Sequence, residues 1–361
     1  MDYYRVEEAL QAVIGATIPL SASQRERIWQ VCEAVLLARS SQIAWLARRV
    51  VRRTHKDSRI QWLSRVLSNQ YMCQDFVYSP FVKQVLNQSQ FNSLHVLMDR
   101  TSFISHATDL VSISFNFRKR AIPIAWTFMK HGMSDYELQK QLIDRCYRLL
   151  PANTSVIFHG DNEFGSVRLM QYLRRLGWDF IVGQSSKNYY RSYPNGNWET
   201  FGSLPVSKTR SVYLANIEVT KEYGYGLVNA FAFYKPRFGK KRRKQNIIHC
   251  VTSLPVAPTL RRVGHQRWGV ECQFQDMKSS GWNVQDCDIS HPKRREGLVS
   301  ILNLCYLWTT CLGRWLCKTS RRHFVDAKPQ RRLSLFRIGW DWLVNQYSTE
   351  RECPVLLRLY Q

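Results

Sequence analysis

Apolar residues recur at helical spacing along the first 88 positions, a stretch nearly free of glycine and proline. Ser21 and Gln24 form a capping-box pattern that predicts a helix start, and Ile28, Val31, Val35 and Leu36 then share one face. A second apolar stripe, formed by Ile43, Leu46, Val50, Ile60, Leu63 and Val66, predicts two short helices within residues 39–65. From Ser93 the period shortens. Residues 94–99 form a mostly apolar run ending in an acid, LVSISFNFR alternates strictly, and AIPIAWTFM is apolar, so three strands are expected. A helix beginning near Tyr136, capped by Ser134 or Asp135, precedes the strand TSVIFHGD. The helix GSVRLMQYLRRLG, closed by Gly177, and the strand WDFIVGQ complete a βββαβαβ order, which predicts a mixed α/β core.

Residues 185–256 change texture again. SVYLANIEV and GLVNAFAFY are β-like runs separated by Pro-Asn-Gly-Asn and Gly-Tyr-Gly turn signals, so an all-β insertion is expected. Helix resumes after Pro258, through Lys278 and again from about Lys293 to Cys317. The chain thus divides into a helical segment at 1–88, the first part of the α/β core at 89–184, the insertion at 185–256, a helical remainder of the core at 257–318, and a basic helical C-terminal region at 319–361.

Charge narrows the function. The 361 residues carry 52 Lys+Arg against 27 Asp+Glu, a net charge of +25, which suits a protein that works on a polyanion, most often nucleic acid. At 45% hydrophobic residues the chain can build a core, which excludes a disordered basic tail protein. The basic residues cluster. Eight of them and one acid, Asp57, lie in residues 39–65, where Arg48, Arg49, Arg52 and Arg53 flank the two short helices of a helix-turn-helix-like DNA-binding unit. Seven more, including Lys240, Lys241, Arg242 and Arg243, fall in residues 235–244 with no acid, as expected of a loop touching phosphate. Ten scattered cysteines without a CxxC pair argue against a zinc ribbon or a disulfide framework, and predict reduced, buried thiols in a cytosolic protein. The acidic, tyrosine-rich start does not read as a signal peptide, and the apolar residues 298–316 are broken by polar ones, so no membrane partner is expected.

Two strands end in aspartate, at Asp99 and Asp161, a position that holds a carboxylate rigidly yet opens it to a cleft. RWGVECQFQDMK supplies a third acid. Arg267, Glu271 and Lys278 stand four and eleven residues apart on an expected helix, which brings them within about 40° of one face. A carboxylate flanked by arginine and lysine suits a site for metal ions and phosphate. Glu163 lies close to Asp161, but Asp161 is preferred because it ends the strand; Asp276 points away and Asp288 lies beyond the helix. Trp268 is expected to pack the helix onto the sheet. His159 shares the strand face of Asp161, with a buried, hydrogen-bonded role as the plainer expectation.

A strand-end Asp, a second Asp in GDNEFGS, a β-rich insertion and the string R-W-G-V-E-x6-K together resemble the DDE transposases of the IS4 family, over about residues 90–310. The resemblance implies a ribonuclease H-like catalytic core, with Asp99, Asp161 and Glu271 as the metal-binding triad and Arg267 and Lys278 as DNA contacts. Where that family usually has a tyrosine three residues before the arginine, this chain has Gly264. It further implies two Mg²⁺ ions per site, with Mn²⁺ as a substitute, about 3.5–4 Å apart, serving in-line cleavage and strand transfer. Members that cut through a hairpin stack a flipped base on a tryptophan of the insertion, and Trp198 is the one available here. The partners implied are double-stranded DNA, both element ends and target, and a second protomer in the DNA complex. The setting implied is the bacterial cytoplasm, at the nucleoid. The expected function is therefore cut-and-paste transposition, with a metal-dependent structure-specific nuclease or an inactive DNA-binding regulator as alternatives.

Overall fold

A short strand, β1 (Tyr3–Arg5), leads into five helices, α1 (Val6–Thr17), α2 (Ala22–Ala38), α3 (Ile43–Arg49), α4 (Lys56–Leu67) and α5 (Ser79–Gln88). The computed structural model describes residues 3–89, 91–102, 108–118, 120–235 and 247–359. The expected capping box opens α2: the Ser21 N–H donates to Gln24 at 3.0 Å and the Gln24 N–H to Ser21 Oγ at 3.3 Å. In α3 and α4, Leu46, Val50, Leu63 and Val66 are buried as their spacing predicts.

The core follows as β2 (Leu94–Ser102), β3 (Thr108–Phe117), β4 (Arg120–Lys130), α6 (Tyr136–Leu149), β5 (Val156–Gly160), α7 (Val167–Arg175) and β6 (Asp179–Gln184). Asp135 caps α6 by accepting from the Leu138 N–H at 2.8 Å. The strands β2, β3 and β4 are antiparallel neighbours, whereas β5 pairs parallel to β2 and β6 parallel to β5. The resulting order, β4-β3-β2-β5-β6, with α6 and α7 in the crossovers, is the ribonuclease H-like mixed sheet.

The β-rich segment supplies β7 (Tyr189–Ser192), β8 (Glu199–Thr200), β9 (Val212–Val219), β10 (Tyr225–Tyr234) and β11 (Ile247–Thr252). These strands extend the core sheet rather than forming a separate one, because β11 pairs antiparallel with the edge strand β6. A ten-stranded sheet results.

The chain then forms α8 (Leu260–Gly264), α9 (Trp268–Met277), α10 (Pro292–Lys318), α11 (Leu335–Ser348) and β12 (Glu352–Pro354), which pairs with β1. The long apolar run of the sequence lies in α10, buried on all sides, as a helix without a polar face must be. Its backbone meets that of α11 where Gly313 and Gly339 leave room; a Cβ on Gly339 would fall 1.8 Å from the Thr309 carbonyl oxygen. The N-terminal helix α2 is bound to α11 and to the connection before α10: the Trp340 indole donates to the Leu36 carbonyl at 2.9 Å and that of Trp282 to the Val35 carbonyl at 3.1 Å. All ten cysteines are free, seven of them buried. Among the described residues no helix is long and apolar enough to cross a membrane.

Candidate active site

Alternation along β2 assigns its side chains to two faces of the sheet. Val96 and Met98 enter the main core, while Leu97 packs with Ala121, Val270 and Phe274 beneath α9. Asp99, two residues beyond Leu97, therefore faces α9. The parallel register pairs Leu97 with His159, and two residues further on the two chains carry Asp99 and Asp161. Asp161 caps the turn after β5, its Oδ1 accepting the Glu163 N–H at 2.9 Å.

The helix α9 brings the third acid. Gly269 makes the approach possible, since a Cβ there would stand 2.8 Å from Asn116 Oδ1 and 3.3 Å from the Ala121 nitrogen. With Val270 and Phe274 turned to the sheet, Glu271 lies at the edge of the buried interface. Arg267 caps the helix, and Lys278 follows its last residue, so the two basic residues bracket α9 rather than lying within it. Both nevertheless reach β2. Arg267 Nη1 donates to Asp99 Oδ2 at 2.8 Å and Nη2 to Glu271 Oε1 at 3.3 Å, while Lys278 Nζ donates to Thr101 Oγ1 at 2.6 Å.

Burial pushes the Asp99 carboxyl up to about 6; Arg267 and the Arg100 N–H pull it down, and the nearby charges of Asp161 and Glu271 add to the rise. Burial also lowers the Lys278 ammonium. Among the described residues no three His, Cys, Asp or Glu side chains are yet grouped tightly enough to hold a metal ion. The donor set still fits a hard divalent cation. It consists of carboxylate oxygens, the charges of Asp161 and Glu271 adding to the proton affinity of Asp99, and a guanidinium already lies between Asp99 and Glu271.

Other expected residues are placed as follows. Trp198 is half-buried, with the Arg191 guanidinium 4.8 Å from its ring centroid. Arg48, Arg49, Arg52 and Arg53 are exposed at the α3–α4 corner, where Arg48 lies over the Trp45 ring and Arg52 over that of Trp62. Lys240, Lys241, Arg242 and Arg243 lie outside the described residues. Trp268 differs from expectation: it is 51% exposed, because Val270 and Phe274 occupy the inward face, and Lys235 stands over its ring. Asp276 pairs with Arg120 at 3.2 Å, and Asp288 is exposed.

Around the acids, His159 takes the buried, hydrogen-bonded role expected of it, and Arg100 adds a network that was not expected. His159 is buried against His95, with Nδ1 of His95 2.9 Å from Nε2 of His159, and burial lowers the His159 imidazole to about 3. Arg100 pairs with both Glu163 and Asp109, the latter fully buried. An arginine directly after Asp99 was the available clue; β2 does not end at that acid as expected but runs on to Ser102, because Arg100 to Ser102 continue the ladder with β3.

Residues 131–308 match the family described as the transposase DDE domain. The matched segment contains Asp161, Arg267, Glu271 and Lys278 and begins after the strand that carries Asp99. That match supports a transposase. Among solved structures, the chain is similar to the piggyBac transposase synaptic complex with hairpin DNA, at 12% identity and a TM-score of 0.47, over 96% of this chain and 80% of that one. No curated protein sequence matches it.

Proposed function

We propose that the chain is a DDE transposase of the IS4 kind, which cuts DNA at the ends of its own element and joins the freed 3′ ends to target DNA. The observation that carries this reading is the bridge from Arg267 to Asp99 and Glu271, which brings a helix-borne acid to the strand that carries Asp99. Asp99, Asp161 and Glu271 would hold two divalent ions, Mg²⁺ or Mn²⁺. Such ions activate the attacking water or 3′-hydroxyl and stabilise the leaving oxygen.

The chain's own groups do the rest. Asp99, within β2, and Asp161, just beyond the end of the neighbouring β5, orient the charge, and Glu271 completes it from α9. Arg267 neutralises the acids in the absence of DNA and turns to a phosphate when DNA arrives. Lys278, beside Thr101, neutralises a second phosphate. Trp198 in the insertion stacks on a displaced base, and the exposed Trp268 lines the approach to the acids. The basic α3–α4 corner of the helical segment 1–88, with residues 240–243, grips the duplex backbone. Two protomers act together on DNA, because two ends must be cut in concert.

An assay with Mg²⁺ on DNA carrying the sequences that flank this gene tests the reading, with wild type compared against Glu271→Gln. Cleavage and 3′-end joining by wild type alone supports transposition. Cleavage without joining identifies a nuclease, and binding without chemistry, in Mn²⁺ as well, identifies a regulator.

A further inference from the structure

We propose that Arg100 and Glu163 form a positioning clamp, on the sheet face opposite α9, that sets the separation and orientation of Asp99 and Asp161. The inference rests on the reading of those two acids given above.

The clamp is a closed ring. Arg100 follows Asp99 in β2 and has the parity of Val96 and Met98, so its side chain leaves the sheet on the side away from Arg267. There its Nε donates to Glu163 Oε2 at 2.9 Å, and its Nη1 pairs with Asp109. Glu163 stands two residues after Asp161, and its second oxygen accepts from the Ser134 N–H at 2.8 Å and the Ser134 hydroxyl at 2.6 Å. The backbones of the same two residues hold the acids. The Arg100 N–H donates to Asp99 Oδ1 at 2.8 Å, and the Glu163 N–H donates to Asp161 Oδ1 at 2.9 Å. Each acid is thus oriented by the N–H of a residue whose side chain is tied to the residue orienting the other.

Physical chemistry favours this as a device for the site. Asp99 and Asp161 repel, and the direct pairing of β2 with β5 stops at Leu97 and His159; Asp99 stays paired with β3, and the Arg100–Glu163 ion pair ties the two segments to each other beyond that point. An ion pair with Glu163 9% exposed and Asp109 fully enclosed is costly to open, because either charge would be left desolvated. Asp109 is itself held by His131 at 3.1 Å and the Gly132 N–H at 3.3 Å, so the far end of the guanidinium is anchored too. Groups that orient ligating carboxylates typically change metal affinity by about 10–100-fold when altered.

The test is Mn²⁺ binding to the intact protein without DNA, followed by electron paramagnetic resonance well below each variant's thermal midpoint. Glu163→Gln is expected to weaken Mn²⁺ binding by about tenfold or more. Arg100→Lys, which keeps the charge but not the fork to both acids, is expected to fall between it and wild type, and decides the matter if Glu163→Gln does not fold. Wild-type affinity in the folded variants overturns the clamp. Asp99→Asn separates the two claims: if it alone loses Mn²⁺, only the clamp fails, and if it binds as wild type, the acid-site reading fails and the clamp with it.

Discussion

Arg267 reaches across 168 positions of sequence to donate to Asp99 at 2.8 Å, while the other arm of its guanidinium meets Glu271 on the next helical turn. A single cation therefore fastens α9 to the strand that carries the first acid. Replacing it with alanine leaves Asp99 and Glu271 facing each other without a counter-charge. Arg267→Ala is expected to cost about 1–2 kcal/mol in urea unfolding without metal, less than a fully buried pair because the guanidinium is partly solvated. Added Mg²⁺ should then stabilise the variant more than wild type. Equal stabilisation of the two would argue that the cation and the ion do not share the same charge.

The close approach at Gly269 makes a second prediction. Gly269→Ala gains about 1 kcal/mol of helix propensity in isolation. Its Cβ nevertheless meets Asn116 Oδ1 at 2.8 Å and the Arg120 and Ala121 backbone at 3.3 Å, so either the Asn116 side chain turns away from its bond to Gln266 or α9 shifts from β3 and β4. The net effect expected in chemical denaturation is a loss of about 1–3 kcal/mol. Strand cleavage should fall with it while DNA affinity holds, since the basic α3–α4 corner is untouched.

Much of this arrangement was legible in the chain itself, for reasons that differ by element. The apolar runs before Asp99 and Asp161 come from strands covered on both faces, and LVSISFNFR adds an alternation in side-chain polarity, so β2, β3 and β5 and the positions of Asp99 and Asp161 leave a local trace. The four-residue step from Arg267 to Glu271 does the same for α9. Side-chain partnerships leave none. Arg100 and Glu163 are 63 residues apart, and no local pattern shows that they meet. The outward turn of Trp268 follows from Val270 and Phe274 claiming the inner face, which large aromatic character alone does not reveal. That the insertion would continue the core sheet depends on β11 pairing with β6, again a long-range choice.

The α3–α4 corner should be visible in salt dependence. Each phosphate contact contributes about 0.9 to the slope of log K against log salt on duplex DNA. Substituting Arg48, Arg49, Arg52 and Arg53 together by alanine should therefore lower the slope, read by fluorescence anisotropy across a KCl series, by about 3–4. An unchanged slope would place the duplex elsewhere on the protein.

Asp276 gives a pH dependence whose sign is fixed. Burial raises its carboxyl from the ordinary 3.8 to about 6, against the pull of Arg120. Between those values the folded protein holds a proton that the unfolded chain has released, so this group's contribution to stability falls as pH rises through the interval. Relative to Asp276→Asn, wild type should lose up to about 1.4 kcal/mol per pH unit there. Parallel stability curves for the two proteins would contradict the shift.

The most direct test of the account is single-turnover strand cleavage in Mg²⁺ by Asp99→Asn, Asp161→Asn and Glu271→Gln at matched DNA occupancy. If the three acids form one site, each variant loses at least about a hundredfold in rate, a barrier increase of about 2.7 kcal/mol, while DNA affinity stays close to that of wild type. Cleavage near the wild-type rate by any one of them would contradict the account and remove that acid from the site.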